Sequence, residues 1–154
     1  MKVRQVFRFG LLLLAGLPLI ACSGPMVRVD LAATSTLNPD LKGQPLPVVV
    51  RVYQLTDKGA FESATFAQLW KNDQAALGKT LLTRNEVIIN PGSKSKVELD
   101  RNEKTRYVGV VAIFRNPVEQ KWRELRPVSQ NIVTKHFSSS FDVSLNGYNL
   151  HISD

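Results

Sequence analysis

The sequence predicts an all-β fold in which two sheets form a sandwich, with a short helical insertion after the second strand. Three observations predict it. The chain contains seven or eight short segments with strand character, turn-forming residues separate them at frequent intervals, and only one long segment has apolar residues at helical spacing. Because that segment follows the second strand, a wound α/β sheet is disfavoured. The length of 154 residues is enough for one domain with its own hydrophobic core.

The first two predicted strands are separated by a long loop. Residues Val27–Ala33 alternate between apolar and polar side chains, which is typical of a strand with one buried face. Val48–Leu55 (VVVRVYQL) is rich in β-branched residues and is predicted as the second strand. The segment 34–47 between them contains turn formers at Asn38-Pro39-Asp40 and Lys42-Gly43. A loop of this length in a compact domain is often functional.

The helical insertion is predicted between residues 61 and 77. We expect Ser63 to cap its start and Gly78 to end its last turn, and the Asn72-Asp73 pair can divide it into two short helices. The apolar side chains on one of its faces are more typical of packing than of a ligand site. The residues at near-helical spacing are Phe61, Phe66, Leu69, Trp70 and Leu77.

The remaining strands are predicted from alternation and turn chemistry. Pro91-Gly92 joins two of them into a hairpin, and Asn146-Gly147 favours a type I′ turn between the last two. The nearly all-apolar segment Tyr107–Phe114 is predicted as a central strand. The apolar residues of Trp122–Val128 are not all in phase, which indicates a bulge or bend. The predicted bounds are Glu86–Ile89, Lys94–Leu99, Tyr107–Phe114, Trp122–Val128, Phe137–Leu145 and Tyr148–Ile152.

The N-terminus has the organisation of an export signal. Lys2, Arg4 and Arg8 precede the apolar run Phe9–Ala21, which is shorter than the roughly twenty residues that span a membrane. The run is followed directly by Cys22, the only cysteine in the chain. A single unpaired thiol in an exported protein is a liability, so its position at this boundary requires an explanation.

The sequence Leu-Ile-Ala-Cys at 19–22 resembles the lipobox of bacterial lipoproteins. The resemblance implies that the Cys22 thiol carries a diacylglycerol, that cleavage falls just before this residue, and that the new amine receives an N-acyl lipid. Ser23, in place of an aspartate, implies sorting to the outer membrane with the domain facing the periplasm. We therefore expect a signal peptide at 1–21, a lipidated tether at 22–26 and the sandwich domain at 27–154.

Composition and motifs disfavour several other classes of protein. The formal net charge of +7 falls to +4 without residues 1–21, and the remaining basic residues are interleaved with acids, so no nucleic-acid-binding surface is indicated. His136 and His151 lie in no metal-binding pattern, and Ser138-Ser139-Ser140 lacks the G-x-S-x-G frame of a nucleophile elbow. We predict no enzyme activity, metal or cofactor. Two alternatives stay open: a lipoprotein that binds a small ligand or cell-wall glycan near Trp70, and a hydrolase with clustered acids.

Six stretches form an ordered set along the mature chain. They are PVVVRVYQL (47–55), AFESATFAQLW (60–70), LGKTLL (77–82), NEVIINPGS (85–93), RYVGVVAIFRNP (106–117) and WRELRP (122–127). Their order and spacing resemble the type VI secretion system lipoproteins called TssJ, SciN or VasD. The resemblance covers nearly all of the mature chain, and it implies a transthyretin-like β-sandwich without enzymatic activity.

The same resemblance implies partners and a contact loop. In that family the lipoprotein anchors the secretion apparatus to the outer membrane by binding the periplasmic C-terminal part of the inner-membrane protein TssM, in a complex that includes TssL. The expected partners are thus TssM and outer-membrane lipid. The loop between the first two strands carries much of the contact with TssM in the family. Its counterpart in this chain is Leu37, Asn38, Pro39, Asp40, Leu41, Lys42, Gly43 and Gln44.

Overall fold

The computed structural model describes residues 24–131 and 134–153, which form eight strands and two short α-helices. The strands are β1 (Met26–Ala33), β2 (Val48–Leu55), β3 (Leu81–Ile89), β4 (Lys94–Asp100), β5 (Tyr107–Ile113), β6 (Arg123–Pro127), β7 (Ser139–Asn146) and β8 (Asn149–Ser153). The helices are α1 (Gly59–Ser63) and α2 (Phe66–Leu77), and short 3₁₀ turns cover Gly78–Thr80 and Thr134–His136. Within these residues no helix has the length and hydropathy needed to cross a membrane.

The strands form two sheets of four, which confirms the predicted sandwich. The first sheet has the order β4-β1-β7-β8 and the second has the order β3-β2-β5-β6. Strands β1 and β7 are parallel, and the other paired strands are antiparallel. The strand β1 is therefore central in its sheet, and the chain that enters it from the N-terminus is held on both sides.

The core lies between the two sheets and is built from alternate residues of each strand. In β1 the side chains of Val27, Val29 and Leu31 are buried, as the alternation predicts. Val29 lies between Val97 of β4 and Phe141 of β7 in the register of the sheet. The second sheet contributes the inward-facing valines of its two central strands, which are Val48, Val50, Val52, Val108 and Val110.

The helices cover the outer face of the second sheet, so this sheet is buried on both sides. Tyr53 and Leu55 alternate with the inward-facing valines of β2, yet both are fully buried. The ring of Phe61 from α1 lies directly on Gly109, where an added Cβ would be 2.7 Å from the ring atom Cε2. Only glycine leaves room for that ring. This double burial explains why VVVRVYQL and YVGVVAI are mostly apolar on both faces, with Arg51 and Gln54 as the charged and amide exceptions in the first.

The start of α2 differs from the sequence prediction. Ser63 ends α1, and its hydroxyl donates to the carbonyl of Gly59 at 2.8 Å, so it does not cap α2. The cap is Thr65, which forms a capping box with Gln68. The predicted end at Gly78 is confirmed, since its φ of 51° is in the left-handed region. The predicted division is also confirmed, because Asn72 has non-helical angles (φ −153°, ψ 62°) that kink the helix.

Several strand details also differ from the predictions. β3 begins at Leu81, five residues before the expected Glu86, because it pairs with the full length of β2. The register irregularity lies between Gln54 and Leu55, whereas β6 pairs with β5 without a bulge. The first residue of a strand and the position of a bulge depend on the strand with which it pairs. The alternation of apolar and polar residues within one strand therefore does not predict them.

The C-terminal hairpin also differs. β7 begins at Ser139 rather than at Phe137, which follows a 3₁₀ turn. Asn146 pairs with Asn149, so the turn is centred on Gly147-Tyr148 and not on Asn146-Gly147. Among these residues only Gly147 has a positive φ, of 56°. A type I′ turn needs two such residues, so the predicted turn type is wrong, although the hairpin itself is confirmed.

Candidate partner-binding site at one end of the sandwich

Four connections meet at one end of the sandwich, which we call the loop end: the β1–β2 loop (34–47), the turn at 90–93, the segment 114–122 and the turn at 147–148. Backbone hydrogen bonds join them. The Gly92 amide donates to the Thr34 carbonyl at 3.0 Å, and the Asn38 amide donates to the Gly147 carbonyl at 2.8 Å. The β1–β2 loop is therefore fixed to its neighbours and does not hang free from its two strands.

The opposite end, which we call the tether end, receives the N-terminal chain. The Arg101 amide donates to the Pro25 carbonyl at 2.9 Å, and the Met26 amide donates to Ser138 Oγ at 3.0 Å. The strand β1 has eight residues and separates the two ends by about 26 Å, at about 3.3 Å per residue. The β1–β2 loop thus lies at the end of the molecule that is farthest from the N-terminal tether.

The structure divides the eight predicted contact residues into a buried base and an exposed tip. Leu37 is fully buried and belongs to the hydrophobic core, so it is not an exposed anchor for a partner. Asn38 is only 5% exposed. Pro39 and Asp40 are half-buried, whereas Leu41, Lys42, Gly43 and Gln44 are exposed. Leu37 and Leu41 look alike in the sequence, and only the path of the chain distinguishes them.

Asn38 connects the loop to the rest of the loop end. Its side-chain amide donates to the Pro47 carbonyl at 3.0 Å, and its Oδ1 accepts from the Arg115 amide at 2.8 Å. Its φ of 46° lies in the left-handed region, which asparagine tolerates better than most residues. One side chain therefore joins the two ends of the loop and the segment after β5.

The tip is a compact turn built around Asp40. The Asp40 carboxylate accepts hydrogen bonds from the amides of Lys42 at 2.8 Å and Gln44 at 2.9 Å. Gly43 supplies a φ of 79° at the reversal of the chain. Leu41 is 94% exposed at the apex, although it is apolar. The Tyr148 hydroxyl donates to the Pro39 carbonyl just below the tip. An apolar side chain is therefore presented to solvent on a backbone that its own hydrogen bonds hold in place.

An ionic network centred on the buried Asp73 holds α2 on the second sheet, and it was not predicted from the sequence. Asp73 Oδ2 accepts from the Tyr53 hydroxyl at 2.8 Å and lies 3.3 Å from Arg51 Nη1 and 3.2 Å from Arg84 Nε. Glu86 Oε2 contacts the same two guanidinium groups, at 2.7 and 2.8 Å. Arg51, which lies between valines in β2, was the available signal, because an arginine largely withdrawn from water requires an acidic partner.

The network has a defined charge state. Hydrogen bonds from Arg51 and Arg84 hold the pKa of Glu86 below its ordinary value, so this carboxylate is ionised at neutral pH. Burial, followed by the bond to Asp73, raises the pKa of the Tyr53 hydroxyl, which therefore stays protonated and donates. Arg51 also donates to the Leu69 carbonyl at 2.7 Å, at the end of the first half of α2. The network thus ties the helix backbone to the sheet.

Comparison of the sequence with known protein families identifies one family for this chain. A family model described as "Type VI secretion lipoprotein, VasD, EvfM, TssJ" matches residues 25–148, which is most of the chain. This chain belongs to that family. No curated protein matches the chain at a significant level.

Solved structures of similar fold agree with this assignment. The T6SS lipoprotein TssJ1 from Pseudomonas aeruginosa is 30% identical, with a TM-score of 0.72, and the match covers 84% of this chain and 95% of that chain. Serratia marcescens Lip, a membrane-bound component of the type VI secretion system, is 22% identical, with a TM-score of 0.77 and coverage of 84% and 97%. A chain in a structure described as the T6SS protein TssM C-terminal domain from EAEC is 24% identical, with a TM-score of 0.69 and coverage of 84% and 98%.

Type VI secretion lipoproteins of this family are structural components of the secretion system and not enzymes. The sequence prediction of a protein without enzyme activity is therefore confirmed. The acids that lie together, Asp73 and Glu86, are both neutralised by arginines, and no cluster of metal-binding side chains occurs within residues 24–131 and 134–153.

The geometry of this TssJ-family chain does not favour the alternative of a ligand pocket near Trp70. Phe66 packs edge-on against Trp122, with 5.1 Å between ring centroids, and lies 6.1 Å from the ring of Trp70. Leu69 is fully buried beneath them. The space between α2 and the sheet is therefore filled by side chains, as in a packed core.

Proposed function

We propose that this protein anchors the type VI secretion membrane complex to the outer membrane. In this proposal, acyl chains on Cys22 hold the protein in the membrane, and the exposed tip of the β1–β2 loop binds the periplasmic C-terminal part of TssM. The observation that carries the proposal is the position of that tip. It lies at the end of the sandwich opposite the tether, so both contacts can form at once.

The family assignment supports the partner. The structure named for the TssM C-terminal domain contains a chain with this fold. The match covers nearly all of that chain, which is therefore about as long as this sandwich and much shorter than the named TssM span of 869–1107. This supports a TssJ-like chain beside TssM, and we extend the proposal to a complex that also includes TssL.

The lipid anchor rests on the sequence alone. Cys22, like the rest of residues 1–23, lies outside the described residues. The lipobox-like sequence at 19–22 supports cleavage before Cys22, which would leave a tether at 22–26 and the sandwich at 27–154. Two or three acyl chains give stable attachment, because each buried methylene contributes about 0.8 kcal/mol. Ser23 supports the outer membrane as the destination, with the sandwich in the periplasm.

The loop geometry suits a protein partner. The tip is already ordered by Asp40 and Asn38, so little backbone entropy is lost when it docks. Leu41 is an apolar anchor that can enter a pocket on TssM, and the exposed Lys42 and Gln44 can form the polar rim around it. We do not include Leu37 in the contact, because it is buried in this protein's own core.

We expect Leu41→Asp to weaken binding of the TssM C-terminal domain at least tenfold, which is about 1.4 kcal/mol. A charge at the centre of the contact would have to be desolvated without a partner. Isothermal titration calorimetry with the soluble mature chain carrying Cys22→Ser measures the effect. Phe137→Ser is the matched control, since Phe137 is an exposed apolar residue at the tether end. Equal affinities of both variants and the parent would remove the loop tip from the proposal.

We expect Cys22→Ser in the full chain to abolish membrane attachment and secretion while the sandwich still folds. The substitution removes the only thiol that can be acylated. Membrane fractionation gives the location, and circular dichroism of the released protein checks that it is folded. Normal secretion by a cell that produces only this variant would refute the anchoring role.

A further inference from the structure

We propose that the tether end of the sandwich is a docking face for an anionic phospholipid bilayer, which holds the domain upright on the membrane. This inference rests on the acylation of Cys22 in the proposed function. It adds a second contact with the membrane, made by side chains of the folded domain.

The length of the tether brings this face to the membrane. The chain is fixed to the domain at Pro25, whose carbonyl accepts from the Arg101 amide, and β1 begins at the next residue. Only residues 23–25 separate Cys22 from β1. Three residues span at most about 11 Å, at about 3.3–3.6 Å each. A cysteine whose acyl chains are in the bilayer therefore keeps the tether end within about one headgroup layer of the surface.

The side chains at this end are suited to anionic lipid. The segment 101–106 between β4 and β5 carries three cations and one acid. Lys104 and Arg106 are exposed and form no ion pair among the residues that the structure describes. Among the described side chains at this end and at the start of α1, the cations Lys58, Lys79, Arg101, Lys104 and Arg106 outnumber the acids Asp57, Glu62, Asp100 and Glu103, and Lys58 is paired with Glu62 at 3.4 Å. Basic side chains held within a Debye length of an anionic leaflet are attracted to it.

An exposed aromatic residue lies in the same face. Phe137 is 63% exposed, and its carbonyl is 3.5 Å from Arg101 Nη1. The hydroxyl oxygen of the adjacent Ser138 accepts a hydrogen bond from the Met26 amide, so Phe137 lies beside the first residue of β1. Aromatic side chains are favoured at the boundary between headgroups and acyl chains. The combination of a short tether, unpaired cations and an exposed ring points to a membrane surface as the occupant of this face.

Docking would determine the orientation of the domain. A three-residue tether alone lets the sandwich tilt in any direction. When the tether end is held flat against the headgroups, β1 runs away from the membrane, and the tip at Leu41 points into the periplasm about 26 Å or more from the surface. The membrane contact would therefore favour the orientation in which the proposed partner loop is accessible.

The test uses the acylated protein in vesicles of phosphatidylethanolamine and phosphatidylglycerol at a ratio of 3:1. Because the native thiol is acylated, a single introduced cysteine is the only site for a fluorescent label. The label is placed by Glu103→Cys at the tether end or by Leu41→Cys at the loop end, and nitroxide on the lipid headgroup quenches it. We expect strong quenching at 103 and little at 41. Adding Lys104→Glu and Phe137→Ser should lower the quenching at 103 severalfold, with flotation of the vesicle-bound protein unchanged.

The outcomes separate this inference from the anchor itself. If the protein floats with the vesicles but the quenching at 103 equals that at 41, or is unaffected by the two substitutions, the docking face is overturned and the anchor stands. If the protein does not float and two thiols react with the label, acylation of Cys22 is wrong and both proposals fail.

Discussion

Replacing Asp73 by alanine is expected to lower the free energy of unfolding by about 3 kcal/mol. Asp73 is 4% exposed and accepts from Tyr53, Arg51 and Arg84. Removing it leaves a buried hydroxyl without its acceptor and reduces the negative charge beside two guanidinium groups. Breaking a buried ion pair costs about 3–5 kcal/mol. We expect the lower end of that range, because Glu86 continues to neutralise both arginines.

Urea denaturation of the soluble mature chain with Cys22→Ser measures this loss as a lower midpoint with an unchanged m-value. The matched control is Asp30→Ala. Asp30 is also an acid paired with a basic residue, Lys96, at 3.5 Å, but both side chains are about half exposed. Exposed pairs contribute about 0–1 kcal/mol. If the two substitutions had the same small effect, the network would not hold α2 on the sheet.

The sequence was sufficient to predict the two-sheet sandwich because alternation is a local property of each strand. Val27, Val29 and Leu31 are buried as their spacing predicts, and the apolar run of β5 is central in its sheet. The contact between Phe61 and Gly109 was not predictable, because it depends on how α1 crosses the sheet. The cap at Thr65 was missed because Ser63, Ala64 and Thr65 offer two hydroxyls, and only the break between the helices selects the second.

The sequence also did not predict which residues of the candidate site are exposed. The family resemblance placed the contact in the β1–β2 loop, but residue types alone do not say which part of the loop is exposed. Leu37 is drawn into the core, and Asn38 is held beside it by backbone groups from the far end of its own loop and from two other segments. Those bonds involve Gly147 and Arg115, which are 109 and 77 residues away in the sequence. A buried base of this kind leaves Leu41 as the one apolar side chain at the apex.

Replacing Asn38 by alanine is expected to cost about 3 kcal/mol of stability and to weaken binding of the TssM C-terminal domain at least tenfold. The substitution removes two part-buried hydrogen bonds, to the Pro47 carbonyl and from the Arg115 amide, and each contributes about 0.5–1.5 kcal/mol. It also places alanine at a φ of 46°, a conformation that asparagine tolerates better, which adds about 1 kcal/mol.

Asn38→Gly separates these two contributions. Glycine also lacks the amide side chain but adopts positive φ freely, so we expect it to be about 1 kcal/mol more stable than the alanine variant. Both variants should bind TssM weakly, because in each the tip loses its attachment to Pro47 and Arg115. Urea denaturation and calorimetry on the same samples give both quantities. Full affinity for TssM in a folded Asn38→Gly variant would show that the partner recognises the tip without needing the loop held in place.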